Sequence, residues 1–541
     1  MPSPRRTKGI TLMKKLIAST LVTVVLGLWL VTIFGDNIKA LFGMSADGLA
    51  GDTLVARRTS KTRQGGLEKK TLQYFGEENS GYGDEPPTFV PNPVTLTAAD
   101  TKSTFAIDVD TASWTWARRS VLDANQLPTK DGIRLEEWVN AFDYELAAPQ
   151  KDPIAISVEG AVSPFDESKT LVKVALKGRV VTERQPAHLV FLVDVSGSMN
   201  SPDRLPLAKH ALRVLTRELN EKDTVSLVTY AGSTQVVLPA TNGSRHDAII
   251  GAIDSLGAGG GTAMGSGMEL AYRVAVAQVA PKTTTRVIVL TDGDTNIGPN
   301  LSSEQILDAV HAYVEEGVTL TTVGFGMGDS YRGNALERMA DKGNGQALYF
   351  SNEREVQQAF SKKLTGTLEV VAKDVKVQVT FDPAVVSSYR LLGYENRAIA
   401  DEDFKNDRVD AGEMGAGHAV TALYEVTLTG KNAALGTVAV RGVKPNGERF
   451  ELSNVVARAS VQHQLSEQSS DFRFATALAL GADTLRGNTI GDWSLNAIAE
   501  LASGATQGSP ERAEYVAFLR RADQLRNIPV AQRAYAPNNA Y

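Results

Sequence analysis

Hydrophobic spacing divides the chain. From Leu16 to Phe34 nineteen residues run without a charge, "LIASTLVTVVLGLWLVTIF". From about residue 101 to 367, short apolar runs alternate with stretches whose apolar residues recur every three or four positions. Beyond that an every-other-residue pattern takes over, and after residue 462 the spacing becomes helical again. A period of two marks a strand with one buried face, a period of 3.6 marks a helix, and a continuous apolar run fits a strand buried on both faces.

Residues 101–185 predict a small α+β unit. "STFAIDV", "PIAISVEGAVSPF" and "LVKVALKGRVV" read as strands; "TASWTWARRSVLDAN" and "RLEEWVNAFDYEL" read as helices. Residues 186–367 alternate regularly. "HLVFLVDV", "DTVSLVTYA", "RVIVLTDGD", "VTLTTVGFG" and "QALYFSN" are strands. Between them lie helices: one with Leu205, Ala208, Leu212, Leu215 and Leu219 on one face, then "SRHDAIIGAIDSL", "MELAYRVAVAQVA", "ALERMADKG" and "EREVQQAFSKKL". Ser302 and Gln305 form a capping box before one more, with Ile306, Ala309, Val310 and Tyr313. Repeated strand–helix units predict an α/β fold with a mostly parallel sheet between helices. Residues 368–462 predict a β-rich, mostly antiparallel unit, with Val375, Val377, Val379 and Phe381 on one face. Residues 463–541 predict helices over 471–527, the last bearing Tyr515, Phe518, Leu519, Ala522 and Leu525, and then a loose tail.

The span 16–34 would reach roughly 28 Å as a helix, close to a bilayer core. The tail 1–15 before it carries five basic residues and no acid, while only Lys39 is basic in the twenty residues after it. That asymmetry predicts a single-pass anchor in the inner (cytoplasmic) membrane, with the body on the periplasmic or extracytoplasmic side. A cleaved signal peptide and a secreted body is the alternative, although Met44-Ser45-Ala46 matches a small-x-small cleavage site poorly. Residues 35–100 read as a flexible linker ending in four prolines between Pro86 and Pro93. The chain carries −6 overall; the first 15 residues contribute +5, so the rest carries −11. This acidic body argues against nucleic acid as the main partner. The absence of cysteine excludes disulfides, thiol nucleophiles and Cys-ligated zinc.

"FLVDVSGSMN", residues 191–200, puts Asp194, Ser196 and Ser198 at alternate positions after an apolar strand. Such a string can cap a helix, cradle a phosphate or hold a metal. In α/β sheets, ligands bind beyond the carboxyl ends of strands, at the switch in strand order. Thr262, in "GAGGGTAMGSG", and Asp292, ending "VIVLT", are candidates to converge there. Two carboxylates and three hydroxyls, all oxygen, suit a hard cation of the magnesium type. No histidine or lysine stands near in sequence to activate a serine nucleophile.

With Thr262 and Asp292 in "TDGDTNIG", the Asp194-Val195-Ser196-Gly197-Ser198 string resembles the metal-ion-dependent adhesion site of von Willebrand factor type A (VWA) domains, over about 180 residues. "FAIDVDTASW", "RLEEWVNAFDYEL" and "GAGHAVTALYEV" extend the resemblance to bacterial YfbK-like VWA proteins over roughly 95–530. It implies a Rossmann-like VWA domain flanked by an N-terminal and a C-terminal domain. It also implies that Ser196 and Ser198 ligate Mg²⁺ or Mn²⁺ directly, Thr262 directly or through water, and Asp194 and Asp292 from behind. One position is then left for an Asp or Glu carboxylate of a partner protein. In related domains the last helix, here 353–366, shifts with metal geometry. The implied function is a membrane-anchored, metal-dependent protein-interaction module and not an enzyme. Alternatives are an assembly or stress-complex scaffold working with a MoxR-type ATPase, which the topology disfavours because that partner is cytoplasmic, or an enzyme with its site in a flanking domain, for which no catalytic constellation is visible.

Other signals are set aside. The loop 257–267 has Ser266 where a P-loop needs lysine, so no nucleotide is expected. In "DVDTAS", Asp110 or Thr111 is expected to cap a helix. Asp401, Glu402, Asp403, Asp407 and Asp410 are expected to form a solvated acidic loop, and Asp294 to be a turn residue or to tune the charge at the site.

Overall fold

The structure, a computed structural model, describes residues 90–527 except 108–109, 165, 182, 294–311, 315, 327–332, 363–368, 408, 410, 462 and 489–492. The basic tail, the apolar span 16–34, most of the linker, all but the end (312–314) of the helix expected after Ser302, Asp294, Asp410 and the C-terminal tail thus lie outside the described residues. Among the described residues no helix is long and apolar enough to cross a membrane.

The N-terminal flank carries β1 (Thr95–Leu96), β2 (Lys102–Ala106), α1 (Ala112–Leu122), α2 (Leu135–Asn140), β3 (Ile154–Val162) and β4 (Lys169–Gly178). The central unit carries β5 (Ala187–Asp194), α3 (Leu205–Arg217), β6 (Thr224–Tyr230), β7 (Thr234–Asn242), α4 (His246–Asp254) and α5 (Met264–Val276). It continues with β8 (Thr284–Thr291), β9 (Val318–Phe325), α6 (Gly333–Lys342), β10 (Ala347–Phe350) and α7 (Glu353–Gln357), which runs into a wider turn at Gln358–Lys362. The C-terminal flank carries β11 (Val370–Phe381), β12 (Val386–Leu392), β13 (Met414–Gly415), β14 (Ala419–Leu428), β15 (Gly436–Val443), β16 (Arg449–Val456), α8 (Ser470–Arg486), α9 (Leu495–Ser503) and α10 (Pro510–Asn527).

The central sheet has strand order β10-β9-β8-β5-β6-β7, parallel except for β7. Five apolar residues in a row make β5 a middle strand: Val190 and Leu192 enter the core on one face, Leu189, Phe191 and Val193 that on the other. Each such side chain contributes about 1.5–3 kcal/mol of burial free energy. β7, "TQVVLPATN", was not anticipated. Most of its positions are exposed or half-buried, so its sequence lacks the buried-face alternation, and Pro239 fits a sheet edge.

The flanks do not form separate sheets on either side of the central unit. β4 pairs with β14, residue for residue from Lys169↔Thr427 to Lys177↔Ala419, within a sheet ordered β1-β12-β14-β4-β3. β2 pairs with β11 in the opposing sheet, where β15 and β16 follow. Val172, Val174 and Leu176 of β4 share one core with Val375, Val377, Val379 and Phe381 of β11 and Val420, Ala422 and Tyr424 of β14. Boundaries at 185 and 367 therefore enclose a unit inserted into a single β-sandwich. The helices obey the same rule. Trp114 of α1 lies 5.0 Å from Phe518 and 5.4 Å from Tyr515 of α10, and Trp138 of α2 lies 5.3 Å from Phe518.

Two local expectations differ. The end of the linker is docked: Asn92 donates to the carbonyls of Leu391 (3.1 Å) and Gly393 (2.7 Å), and β1 pairs with β12. Neither Asp110 nor Thr111 caps α1. The Ser113 N–H instead donates to Glu137 of α2 at 2.8 Å, while the Asp110 carboxylate accepts from Ala347 N at 2.9 Å and faces Arg397 at 3.2 Å. A buried long-range partner displaced the local cap.

Candidate metal centre

The chain goes from β5 outward to β6 and β7, then returns to the other side of β5 with β8. The switch in strand order thus falls between β5 and β8, and both strands end there on an aspartate segment, Asp194 and Thr291-Asp292. Asp194 is fully buried. Its Oδ1 accepts from the Ser196 N–H at 2.9 Å, and its Oδ2 accepts from the hydroxyls of Tyr230 (3.1 Å) and Thr291 (3.0 Å). Burial pushes the Asp194 carboxyl up, with Asp292 adding to the push, while the bonds from Ser196 and Thr291 oppose it. Burial, and then the Asp194 charge, raise the Tyr230 phenol well above its ordinary value, so it stays a donor. Gly267 lets α5 close onto this tyrosine, since a Cβ there would sit 2.8 Å from that of Tyr230.

The two serines follow this buried carboxylate at the strand end, Ser196 buried and Ser198 half-buried. Ser196 Oγ and Ser198 Oγ are 3.0 Å apart. Neighbouring oxygens on an octahedral Mg²⁺, each at about 2.1 Å, stand about 3 Å from one another, so the pair fits a shared cation. The glycine loop is stitched beside them: Gly197 N donates to Gly260 O (3.1 Å) and Gly259 N to Val195 O (2.8 Å). Gly260, at φ +85°, makes the turn that leads to half-buried Thr262. The Asp292 side chain is buried, and its Oδ2 faces Arg204 Nη1 at 2.7 Å. The structure therefore brings Asp194, Ser196, Ser198 and Asp292 to one end of the sheet, with the loop of Thr262 alongside. Among the described residues no group of three or more His, Asp or Glu could hold a metal. The acidic loop is tied by Arg441 and Arg449 on Asp407 instead.

Three residues of the site were not anticipated: Tyr230, Thr291 and Arg204. The first two are donors brought by strand register, Asp194 lying opposite Tyr230 and Val193 opposite Leu290. Arg204 lies six residues past Ser198, and that nearness is the one signal that could have found it.

The last helix of the unit is also tied down. Arg118 of α1 pairs with Glu514 of α10 and lies 3.9 Å from Glu355 of α7. Glu514 also takes Arg354 of α7, and Glu511 takes Gln358. The next residue of α1, Arg119, pairs with Asp203 at 2.7 Å, in the loop that follows the serines.

Family comparisons agree with this architecture. Residues 188–362 match the von Willebrand factor type A domain, residues 84–173 a model described as von Willebrand factor, and residues 366–442 the C-terminal domain of the uncharacterized protein YfbK. The uncharacterized protein YfbK of Escherichia coli is 37% identical over 474 residues, 81% of either chain. The chain belongs to the YfbK family. The uncharacterized protein sll0103 of Synechocystis is 28% identical over 200 residues, 37% of this chain and 46% of that one. A von Willebrand factor type A structure from Catenulispora acidiphila covers 70% of this chain and 91% of its own at 18% identity and a TM-score of 0.42. In this YfbK-family chain the N- and C-terminal matches are two parts of one sandwich, and the VWA match is the insert.

Proposed function

We propose that this YfbK-family protein is a metal-dependent protein-binding module, not an enzyme. Ser196 and Ser198 would hold Mg²⁺ or Mn²⁺, with Thr262 at its side and Asp194 and Asp292 behind. The observation that carries the reading is the hydroxyl pair 3.0 Å apart, backed by a buried carboxylate already taken up by three donors. A cation held largely by neutral hydroxyls keeps most of its charge and supplies a strong attraction for an anionic oxygen. The ligand such a site favours is an Asp or Glu carboxylate on another protein. Nucleotides and nucleic acids are poor candidates, since the chain offers neither a phosphate loop nor a basic body. Residues 16–34 would anchor the protein in the inner membrane and present the body outside it.

Calorimetry with Mg²⁺ and Mn²⁺ on the wild type and on Ser198→Ala tests the site; equal binding by both removes the reading. A pull-down with magnesium and again with chelator identifies the partner as the protein lost on chelation. A reporter fused after Tyr541 tests the orientation, and activity confined to the cytoplasm would overturn it.

A further inference from the structure

Arg204 stands at the metal centre, yet no expectation about the site included it. Its Nη1 donates to the carbonyl of Ser198 at 2.7 Å and to Asp292 Oδ2 at 2.7 Å. One nitrogen thus touches a segment that carries a metal hydroxyl and the carboxylate on the opposite side of the site. The side chain is 28% exposed, and its Nε and Nη2 carry no hydrogen bond to any described residue. A guanidinium held at one corner and open at the other is a preformed donor for an incoming oxygen.

The fold holds it there from three sides. Asp203, immediately before it, is pinned to Arg119 of α1. Leu205 and Pro206, immediately after it, begin α3, with Leu205 buried. Gly326, at the end of β9 with φ +57°, provides the groove in which the stem lies; any Cβ at 326 would overlap Arg204 Cγ and Nε. A merely solvated arginine would not need a notch in the neighbouring strand.

Taking the metal–carboxylate reading above as its premise, we propose that Arg204 is the second half of the carboxylate receptor. The cation takes one oxygen of the partner's carboxylate and the Arg204 guanidinium takes the other. This specifies the ligand further: a planar, two-oxygen anion is favoured over an amide or hydroxyl, because only the carboxylate satisfies both positive groups at once. Arg204 also explains how Asp292 can be buried beside Asp194, since the guanidinium offsets one of the two charges.

The test uses the full chain in detergent and two probes, Mn²⁺ and ¹³C-carboxyl acetate. Calorimetry gives Mn²⁺ affinity. Paramagnetic broadening of the acetate resonance by protein-bound Mn²⁺ gives acetate affinity. Arg204→Ala should weaken acetate binding about tenfold, the low end for a charge-assisted bond at a partly exposed group. Its Mn²⁺ affinity should hold or rise, because a positive charge beside the ion has been removed. Arg204→Lys should fall between, with the charge kept and the planar fork lost. Unchanged acetate affinity in Arg204→Ala would overturn the proposal, reducing Arg204 to a counter-ion for Asp292. Loss of Mn²⁺ binding in both variants would overturn it too, making Arg204 a support of the metal site. Failure of the parent reading looks different: wild type then binds no Mn²⁺, or binds it without broadening acetate.

Discussion

Replacing Arg118 by alanine should loosen the last helix of the VWA unit selectively. Arg118 comes from α1 in the flank, and its side chain is only 12% exposed. It pairs with Glu514, stands 3.9 Å from Glu355 and 3.4 Å from Asp123. Glu355 accepts from Ser351 N at 2.7 Å and Asn352 Nδ2 at 3.0 Å, so it also ties down the start of α7. Burial pushes the Glu355 carboxyl up, while Ser351 and then Arg118 hold it down. Without Arg118 that carboxylate loses its neighbouring cation. Removing one partner of a fully buried pair costs about 3–5 kcal/mol. Here the pair is partly exposed and Arg354 still serves Glu514, so about 2 kcal/mol is the fitting magnitude, a factor of roughly 30 in local opening. Hydrogen exchange followed by mass spectrometry should show amides of 353–360 exchanging about 30-fold faster, with those of β5 unchanged. Equal acceleration in both segments, or none in 353–360, would refute the idea that α1 restrains this helix. A double-mutant cycle with Glu355→Gln should give a coupling of about 1 kcal/mol.

Three other outcomes are expected. Ser196→Ala should abolish Mn²⁺ binding in calorimetry while the melting temperature stays within a few degrees, because Asp194 keeps its bonds from the Ser196 N–H, Tyr230 and Thr291 when the hydroxyl is lost; retained binding would remove Ser196 from the site. Asp223→Asn should flatten the acid limb of the stability curve. Burial acts to raise the Asp223 carboxyl, but Arg184 and the N–H groups of Asn220 and Ala187 outweigh it and hold it below its ordinary 3.8. A depressed carboxyl contributes stability that is present above 3.8 and lost as pH falls through the folded value, so urea melts from pH 5 downward should lose that slope in the variant. Trp138→Ala should cost about 3–5 kcal/mol in urea unfolding, since the ring is fully buried against Trp114, Tyr515 and Phe518. A loss under about 1 kcal/mol would mean that the flanks do not share this core.

The legible parts of the protein are those written locally. The apolar run of β5 and the every-other-residue spacing of β11 show in any short window, and each is buried where its pattern puts it. Asp194, Ser196 and Ser198 lie within five residues, so their convergence follows from one strand end; Thr262 in a glycine-rich loop and Asp292 at another strand end were candidates to join them, and the VWA pattern matched all five. β12 and β16 were not anticipated: β12 is part of the sandwich and β16 is mostly exposed, so neither sequence alternates cleanly.

What only the tertiary structure decided is which distant pieces share a partner. The pairing of Thr170 with Val426 joins residues more than 250 positions apart, and nothing in either strand's own pattern names the other. The one-sandwich architecture, the substitution of Glu137 for a local helix cap and the docking of the linker's end all rest on such contacts. So does the position of Arg204: its sequence neighbours say helix start, whereas Asp292 and Gly326, just past the ends of β8 and β9, hold it beside the candidate metal centre. Local periodicity determines how each element is built and which of its faces is buried. Long-range packing, which minimises the free energy of the whole chain, determines what those faces meet.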